Sequence, residues 1–554
     1  MTLFGSVKGS LHRSGPPSAA GPRFVASARA FWNRLAIVEQ GKSPEWSKGE
    51  RRWFWLCAAL SAFLYMACAI FCFRHFHPDE YFQIAEAASV KLGLTDITDL
   101  PWEFQARMRS WLQPAFYVAV ARAAYAVGID RPLSWLFLFR LSTGLISWAS
   151  LWMLIAAGRR WIASEDDRRR LYLIAALLWI LPFLGVRTSA ETMSAAMLCI
   201  GIALMEWRSD RPTREGRFGF AVMAGIAFGL CFEFRYASTV MAAGAIVNYL
   251  RPSGERPLAF LGMALGGCLA LAFGALVDRW GYGVPAFPVV SYIYENFVVG
   301  RAAAYGTSPF FGYLYKPLET PMAPVAAVLM LATVIAWARR PWHVLTFAAV
   351  PYVLLLSIVG HKEQRFIFPL VPLLPMFIMF ALAGHAETRS RAVAFLRWCT
   401  SQWRLRVLLA WNIGGLLLML WLPSLSDFSF YRTVETEAAA AGGQVEFVVI
   451  QDGDKIPYWQ AGIRMHFIEP KNLHLVVNPS QADLQGVAAS GKPVLAMLDV
   501  PTSRPGQVAW IRSNCTLLRT SWPVWFRSIN WFGWQDKNSQ RELYRCQNPS
   551  KNPA

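Results

Sequence analysis

A polytopic α-helical membrane protein is the fold class that this sequence predicts, from three observations. Of its 554 residues, 55% are hydrophobic and only 16% are charged. Apolar runs close to 20 residues recur along the chain, the length a helix needs to cross about 30 Å of hydrocarbon. The basic residues gather between those runs, and the 25 Trp and 37 Phe suit a chain with lipid-facing and interfacial surfaces.

Residues 1–52 carry nine Lys/Arg against three acids and no apolar core of the signal-peptide type, so they read as a cytoplasmic tail. Candidate spans follow at 53–73, 111–127, 134–157, 171–186, 190–206, 218–233, 236–250, 258–277, 321–338, 342–359, 366–383 and 407–422. If all twelve cross, the basic segment from Arg159 to Arg170 falls outside. If 111–127, which is short and contains Arg122, lies at the interface instead, that segment falls inside with Arg208 to Arg217 and Arg389 to Arg406. The expectation is therefore about 11 transmembrane helices over residues 53–423, with the N-terminus inside and outer-face interfacial helices. A net charge of +19 then sets orientation, and nucleic acid is excluded as a partner.

Residues 424–554 lose the long apolar runs and show β-like stretches at 445–450, 473–477 and 493–498 between turn residues. This predicts a small C-terminal α/β domain outside the membrane. Cys515 and Cys546 are the two cysteines of that tail and are expected to form a disulfide.

The polar residues collect on the outer side, in loops 74–133 and 278–320 and in short turns. "FRHFHPDEYFQIAEAASVKLG", residues 73–93, places His75, His77, Asp79 and Glu80 where the chain leaves the first span. Pro78 suits a helix start, and helical spacing puts Asp79, Gln83 and Glu86 on one face, with Ile84, Ala88 and Leu92 on another. Helix capping accounts for one carboxylate but not for the whole convergence.

In "GVRTSAETMSAAM", Arg187 and Glu191 are one turn apart: a simple ion pair, or an arginine for an anionic head group beside a carboxylate for a hydroxyl. Arg235 in "FEFRYAS" has the same two readings. In "GHKEQRFIFPLVPLLP", His361, Lys362 and Arg365 lie outside, against the positive-inside bias, which a phosphate-bearing lipid would justify. Tyr305 and Tyr313, in the aromatic loop 278–316, offer faces for sugar rings, although interfacial belts use the same residues. No Walker loop, dinucleotide fingerprint or zinc spacing is present, so no metal or other cofactor is expected and dissolved-nucleotide chemistry is unsupported.

"HPDEYFQIAEAA", "RTSAETMSAAM", "DRWGYG" with "YGTSPFFGYLYKPL", and "HKEQRFIFPLVPLL" together resemble the motifs of the dolichol-phosphate-mannose-dependent α-mannosyltransferases of GPI-anchor and N-glycan assembly. These are membrane glycosyltransferases of the GT-C fold. The resemblance is greatest to the branch that adds the third GPI mannose, but "IQDGDKIPYW" has neither the Cys nor the His of that branch's tail, which leaves the acceptor open. It implies Asp79 as catalytic base with Glu80 as helper, and inversion at the anomeric carbon. Arg187, His361, Lys362, Arg365 and Arg235 would hold the phosphate of a polyprenyl-phosphate-linked sugar donor. His77, Gln83, Glu191, Tyr305 and Tyr313 are the candidates for a glycan or glycolipid acceptor. The reaction would take place on the periplasmic or luminal side, in a bacterial inner membrane or the endoplasmic reticulum. The rival readings are a lipid-linked sugar flippase, for which ionisable residues at the midplane would be expected, and a surface-polysaccharide polymerase or ligase.

Overall fold

The computed structural model describes residues 43–71, 77–250, 256–320, 322–382, 391–399, 401–423, 429–452, 458–460, 463–500, 504–521 and 540–546. His75 and most of the N-terminal tail lie outside them. Six described helices are long and apolar enough to cross a membrane: Lys48–Phe71, Pro132–Trp161, Ala190–Arg208, Arg214–Phe234, Pro257–Tyr282 and Gln364–Leu382. Ala323–Arg339 and Val344–Ile358, expected as two separate spans, pass that test only together and are bent by 118° at their junction.

The departures from the expected helices have local causes. The 171–186 span breaks into Glu165–Leu177 and Ile180–Gly185. Asn412, from helix Gln402–Pro423, serves both backbone groups freed at the break: its Oδ1 accepts from Trp179 N–H at 3.1 Å and its Nδ2 donates to Leu177 C=O at 2.7 Å. Within apolar surroundings that replaces the missing helical bonds. Pro369 and Pro372 remove two amide donors, and Gln364–Leu373 is wound as a 3₁₀ segment before Leu374–Leu382 resumes the α form. Helices Arg214–Phe234 and Arg256–Tyr282 approach backbone to backbone, since a Cβ on Gly225 or Gly266 would meet main-chain atoms of the other helix. Gly225 with Gly229 and Gly262 with Gly266 form two small-residue seams that allow it.

The 111–127 segment forms helix Leu112–Ala126. Its 15 residues reach only about 22 Å, short of a bilayer core. Tyr117, Val118, Ala121 and Ala124 are buried in one core with Phe430 and Phe447 of the C-terminal region. The helix is not among the described helices that are long and apolar enough to cross a membrane.

The C-terminal region holds a five-stranded sheet in the order Leu473–Val477, Val445–Ile450, Val494–Val500, Gln540–Cys546, Cys515–Thr520. The first three strands are parallel and the last two pairings antiparallel. Alternation sends Phe447, Val449, Leu495 and Met497 toward the first outer loop, and Val448, Ile450, Ala496 and Leu498 toward Leu484 and Ile511 of the covering helices. Cys515 and Cys546 are disulfide-bonded between adjacent strands.

Candidate active site

The chain turns at Pro78, whose carbonyl accepts from the N–H groups of Tyr81 (3.0 Å) and Phe82 (2.9 Å). The following turn, Tyr81–Ala85, is a π-helix closed by Glu86 N–H on Tyr81 C=O. Such a turn holds one more residue than an α turn. Asp79 and Gln83 still meet across it, Gln83 Nε2 donating to Asp79 Oδ2 at 2.7 Å. Glu86 does not join them: the wider turn carries it to the opposite side, where its carboxylate accepts backbone N–H groups of His466 and Phe467. The single acidic face expected from α spacing is thus divided in two.

The adjacent carboxylates also diverge. Asp79 is partly open to solvent, with its side chain 25% exposed. Glu80 is buried, 3.8 Å from Arg187 Nη1. Arg187 itself is buried over the Phe183 ring, and Thr188 Oγ1 donates to Glu80 C=O at 3.2 Å. Glu80 and Arg187, expected as helper and phosphate ligand, are therefore both buried behind the loop, where the Arg140 and Glu191 charges also act on Glu80.

Around Asp79 two motifs 286 residues apart converge: Arg365 Nη1 donates to Asp79 Oδ2. Glu363 is the hub beside them. It accepts from Arg365 Nε at 2.6 Å and faces His77 Nε2 at 3.1 Å and His361 Nε2 at 2.8 Å. His77 Nδ1 sits 3.5 Å from Asp79 Oδ1 and 3.2 Å from the Asp79 amide nitrogen, so the ring's protonation decides which it addresses. On the other flank Gln83 Nε2 also donates to Glu103 (2.8 Å), which takes a two-pronged bond from Arg109 at 3.0 and 2.5 Å. Ser110 Oγ and Trp111 N–H donate to Asp278 at 3.1 and 2.7 Å, and Tyr282 OH to Arg109 C=O at 2.6 Å. The "DRWGYG" stretch thereby pins the loop that carries Arg109.

The remaining candidates separate. Tyr305 is exposed at the rim, where its hydroxyl accepts from Trp102 Nε1 at 3.2 Å and its ring lies 6.0 Å from that of His361. Arg301 covers Trp102 at 4.9 Å. Arg235 Nη1 is held by Glu191 at 2.8 Å, with Arg365 Nε 3.9 Å from the same oxygen. Lys362 is turned inward, its Nζ on the carbonyls of Ser308 (3.2 Å) and Val359 (2.5 Å), and Tyr313 is buried in the main core. Among the described residues no three His, Cys, Asp or Glu side chains gather to hold a metal ion.

Electrostatics follow from this geometry. Burial opposes ionisation of Asp79, but the His77 hydrogen bond and the Arg365 and Arg109 charges outweigh it and hold the carboxyl well below the usual carboxylate range. Burial likewise disfavours a charged His77, yet Asp79 and Glu363 on either side raise it to about 9. Glu80 is pushed upward by burial, which Arg187 and Arg140 only partly offset. The site at pH 7 is a clamped carboxylate between cations, open on one side.

Glu103, Arg109, Trp102 and Glu363 are the site residues that the sequence motifs did not single out. Glu363 lies inside "GHKEQRF", and its place between Lys362 and Arg365, two residues from His361, was an available signal. "PWEFQARMRS" shows nothing of Glu103 and Arg109 until the chain is folded.

The arrangement is a carboxylate ringed by cations and aromatic residues in the loops that join apolar helices. The chain belongs to the Alg9-like mannosyltransferase family, whose sequence profile matches residues 53–450. It is 29% identical over 323 residues to GPI mannosyltransferase 3 of Yarrowia lipolytica, a match covering 54% of this chain and 57% of that one. It is 24% identical over 359 residues to Mannosyltransferase APTG1 of Arabidopsis thaliana, covering 63% and 62%. The matches thus span little more than half the length of these curated relatives. Among solved structures, ArnT from Cupriavidus metallidurans bound to undecaprenyl phosphate aligns over 91% of this chain and 99% of its own, at 14% identity and a TM-score of 0.48.

Proposed function

We propose that this protein is an inverting mannosyltransferase that moves mannose, or a similar hexose, from a polyprenyl-phosphate donor to a glycan or glycolipid acceptor on the extracytoplasmic side. The observation that carries the reading is the contact between Asp79 and Arg365, which joins the two motifs a lipid-phosphate sugar transfer needs: a base and a phosphate ligand. Family membership supports the chemistry. Ala/Arg-rich composition favours a bacterial inner membrane over the endoplasmic reticulum.

The mechanism is read from the resting geometry. Arg365 cannot neutralise a donor phosphate and clamp Asp79 equally well, so a bound phosphate draws the guanidinium toward itself and loosens Asp79. The acceptor hydroxyl then attacks the anomeric carbon and its proton passes to Asp79 Oδ. The bond from that carbon to the phosphate oxygen breaks, leaving the added charge on the lipid phosphate near Arg365 and His361. An ionised Asp79 is a weak base, so most of the rate must come from alignment and from stabilising the departing phosphate. Gln83 and His77 keep the carboxylate oriented throughout. The charged groups of this site sit at the outer ends of apolar helices and not at their middles, which favours a transferase over a flippase.

The test is purified protein given polyprenyl-phosphate mannose and a mannosylated acceptor, wild type against Asp79→Asn. Transfer should fall by about 10²–10⁴-fold, and an undiminished rate in a folded variant would remove Asp79 from the reaction.

A further inference from the structure

We propose that the C-terminal domain holds the reacting carboxylate in place through Glu86, which acts as a positioning residue. This rests on the reading of Asp79 as the base. Glu86 is fully buried. Its Oε1 accepts from His466 N–H at 3.2 Å and its Oε2 from Phe467 N–H at 3.3 Å, with Thr95 Oγ1 3.4 Å from Oε1. Among the described residues no Lys, Arg or His side chain forms an ion pair with it. A buried carboxylate without a cation is costly, and consecutive main-chain N–H groups are among the few arrangements that satisfy one. A leucine would fill such a position at less cost, so the carboxylate at Glu86 has a use.

That use is visible in what lies at each end. Glu86 N–H closes the π-turn on Tyr81 C=O, so the residue is the last link of the turn that begins two positions after Asp79. Its carboxylate meanwhile grips a chain 380 residues away. The gripped segment is itself anchored: the Phe467 ring lies 5.9 Å from Phe139 and 6.3 Å from Trp135, at the outer end of helix Pro132–Ala157. Lys471 Nζ adds a bond to Gly93 C=O at 3.3 Å, at the far end of the same loop helix. The π-turn is thus fixed to the sheet domain on one side while Asp79 and Gln83 meet the cations on the other. Without the grip, Tyr81–Ala85 can relax to an ordinary α turn, which rotates Asp79 relative to Arg365 and His77.

The test uses full-length protein and perturbs the grip from both sides, with Glu86→Gln, Glu86→Ala and Phe467→Ala, and the Glu86→Ala/Phe467→Ala double variant. Transfer from polyprenyl-phosphate mannose is measured together with amide hydrogen exchange over residues 79–92. Glu86→Ala and Phe467→Ala are each expected to lower kcat roughly ten- to a hundredfold with the donor KM changed by less than about twofold, as for interactions made only in the transition state. Exchange over 79–92 should accelerate, Glu86→Gln should retain part of the rate, and the double variant should be no slower than the slower single one. Unchanged exchange in Glu86→Ala, or multiplicative losses in the double variant, would overturn the proposal. Exchange reads the grip whether or not Asp79 is the base, so failure of the functional reading, seen as an active Asp79→Asn, is distinguishable from failure of this one.

Discussion

Two clusters of arginines and carboxylates sit in different parts of the molecule, and they share out their hydrogen bonds differently. Near the start of the first helix, Glu50 is fully buried. Its Oε1 accepts from Arg159 Nε (2.9 Å), Arg168 Nε (2.8 Å) and Tyr172 OH (2.5 Å), and its Oε2 from Arg168 Nη2 (2.9 Å). The Trp46 ring closes over Arg159 at 3.3 Å. Both oxygens are engaged and both guanidiniums covered, so nothing remains for a substrate. Around Asp79 the same residue types are shared out differently. Arg365 divides itself between Asp79 and Glu363, His77 lies between the same two, and Asp79 keeps a quarter of its side chain exposed. Saturation marks a structural cluster; shared donors with one open side mark a site that can exchange a partner.

Removing one carboxylate from each cluster tests that contrast most strongly. Asp79→Asn should lose the 10²–10⁴-fold given above in rate with the smaller loss of thermal stability, because Arg365 and His77 keep Glu363 as a counter-charge. Glu50→Gln should do the reverse, costing about 3–5 kcal/mol of stability because two buried guanidiniums lose their counter-charge, with near-normal turnover per folded molecule. Detergent-solubilised thermal melts alongside turnover separate the two. Equal loss of turnover in both variants would erase the distinction.

Arg365→Lys sharpens the open side. Lysine keeps the charge but cannot fork between Asp79 and Glu363 while meeting a phosphate. Loss of one charge-assisted bond, about 1.5–3 kcal/mol, corresponds to roughly ten- to a hundredfold in donor kcat/KM. Acceptor KM should be less affected, a split that initial rates at varied donor and acceptor will read.

The pH dependence separates the clusters again. With His77 raised to about 9 between Asp79 and Glu363, its charged form contributes stability fully below about 6.5, its ordinary value. That contribution is lost as pH rises through about 9. At 31% side-chain exposure the loss is about 1–2 kcal/mol once solvent screening is allowed for. His77→Gln should flatten the decline in thermal stability between pH 7 and 10, whereas Glu50→Gln should shift the curve downward without changing its slope there.

How much of this was legible follows the range of each interaction. The apolar periodicity disclosed helices, Leu112–Ala126 among them, because it depends on neighbours in sequence. That Asp79, Gln83, His77 and Arg365 are site candidates was legible for the same reason. The register around them was not. An α spacing past Tyr81 puts Glu86 beside Asp79, whereas the turn is a π-helix and Glu86 meets the backbone of Phe467, 381 residues away. Lys362 was read as a phosphate ligand from its charge, but folding brings the Ser308 and Val359 carbonyls to its amine. Asn412 gave no signal at all, since its role depends on a helix break more than 230 residues away.

The smallest expected effect lies at the rim, where Trp102 and Tyr305 bridge the loops 74–133 and 278–320. Trp102→Phe keeps an aromatic face for a sugar ring and for Arg301 but deletes the Nε1–H that Tyr305 accepts. A neutral hydrogen bond of about 0.5–1.5 kcal/mol is then lost, or roughly two- to tenfold in acceptor KM, with donor KM unchanged. Trp102→Ala removes the face as well and should raise acceptor KM further. If the two variants are equal, the indole serves only to tie the loops together. If alanine is clearly worse, the rim is part of the sugar-binding surface, which the saturated cluster around Glu50 has no means to provide.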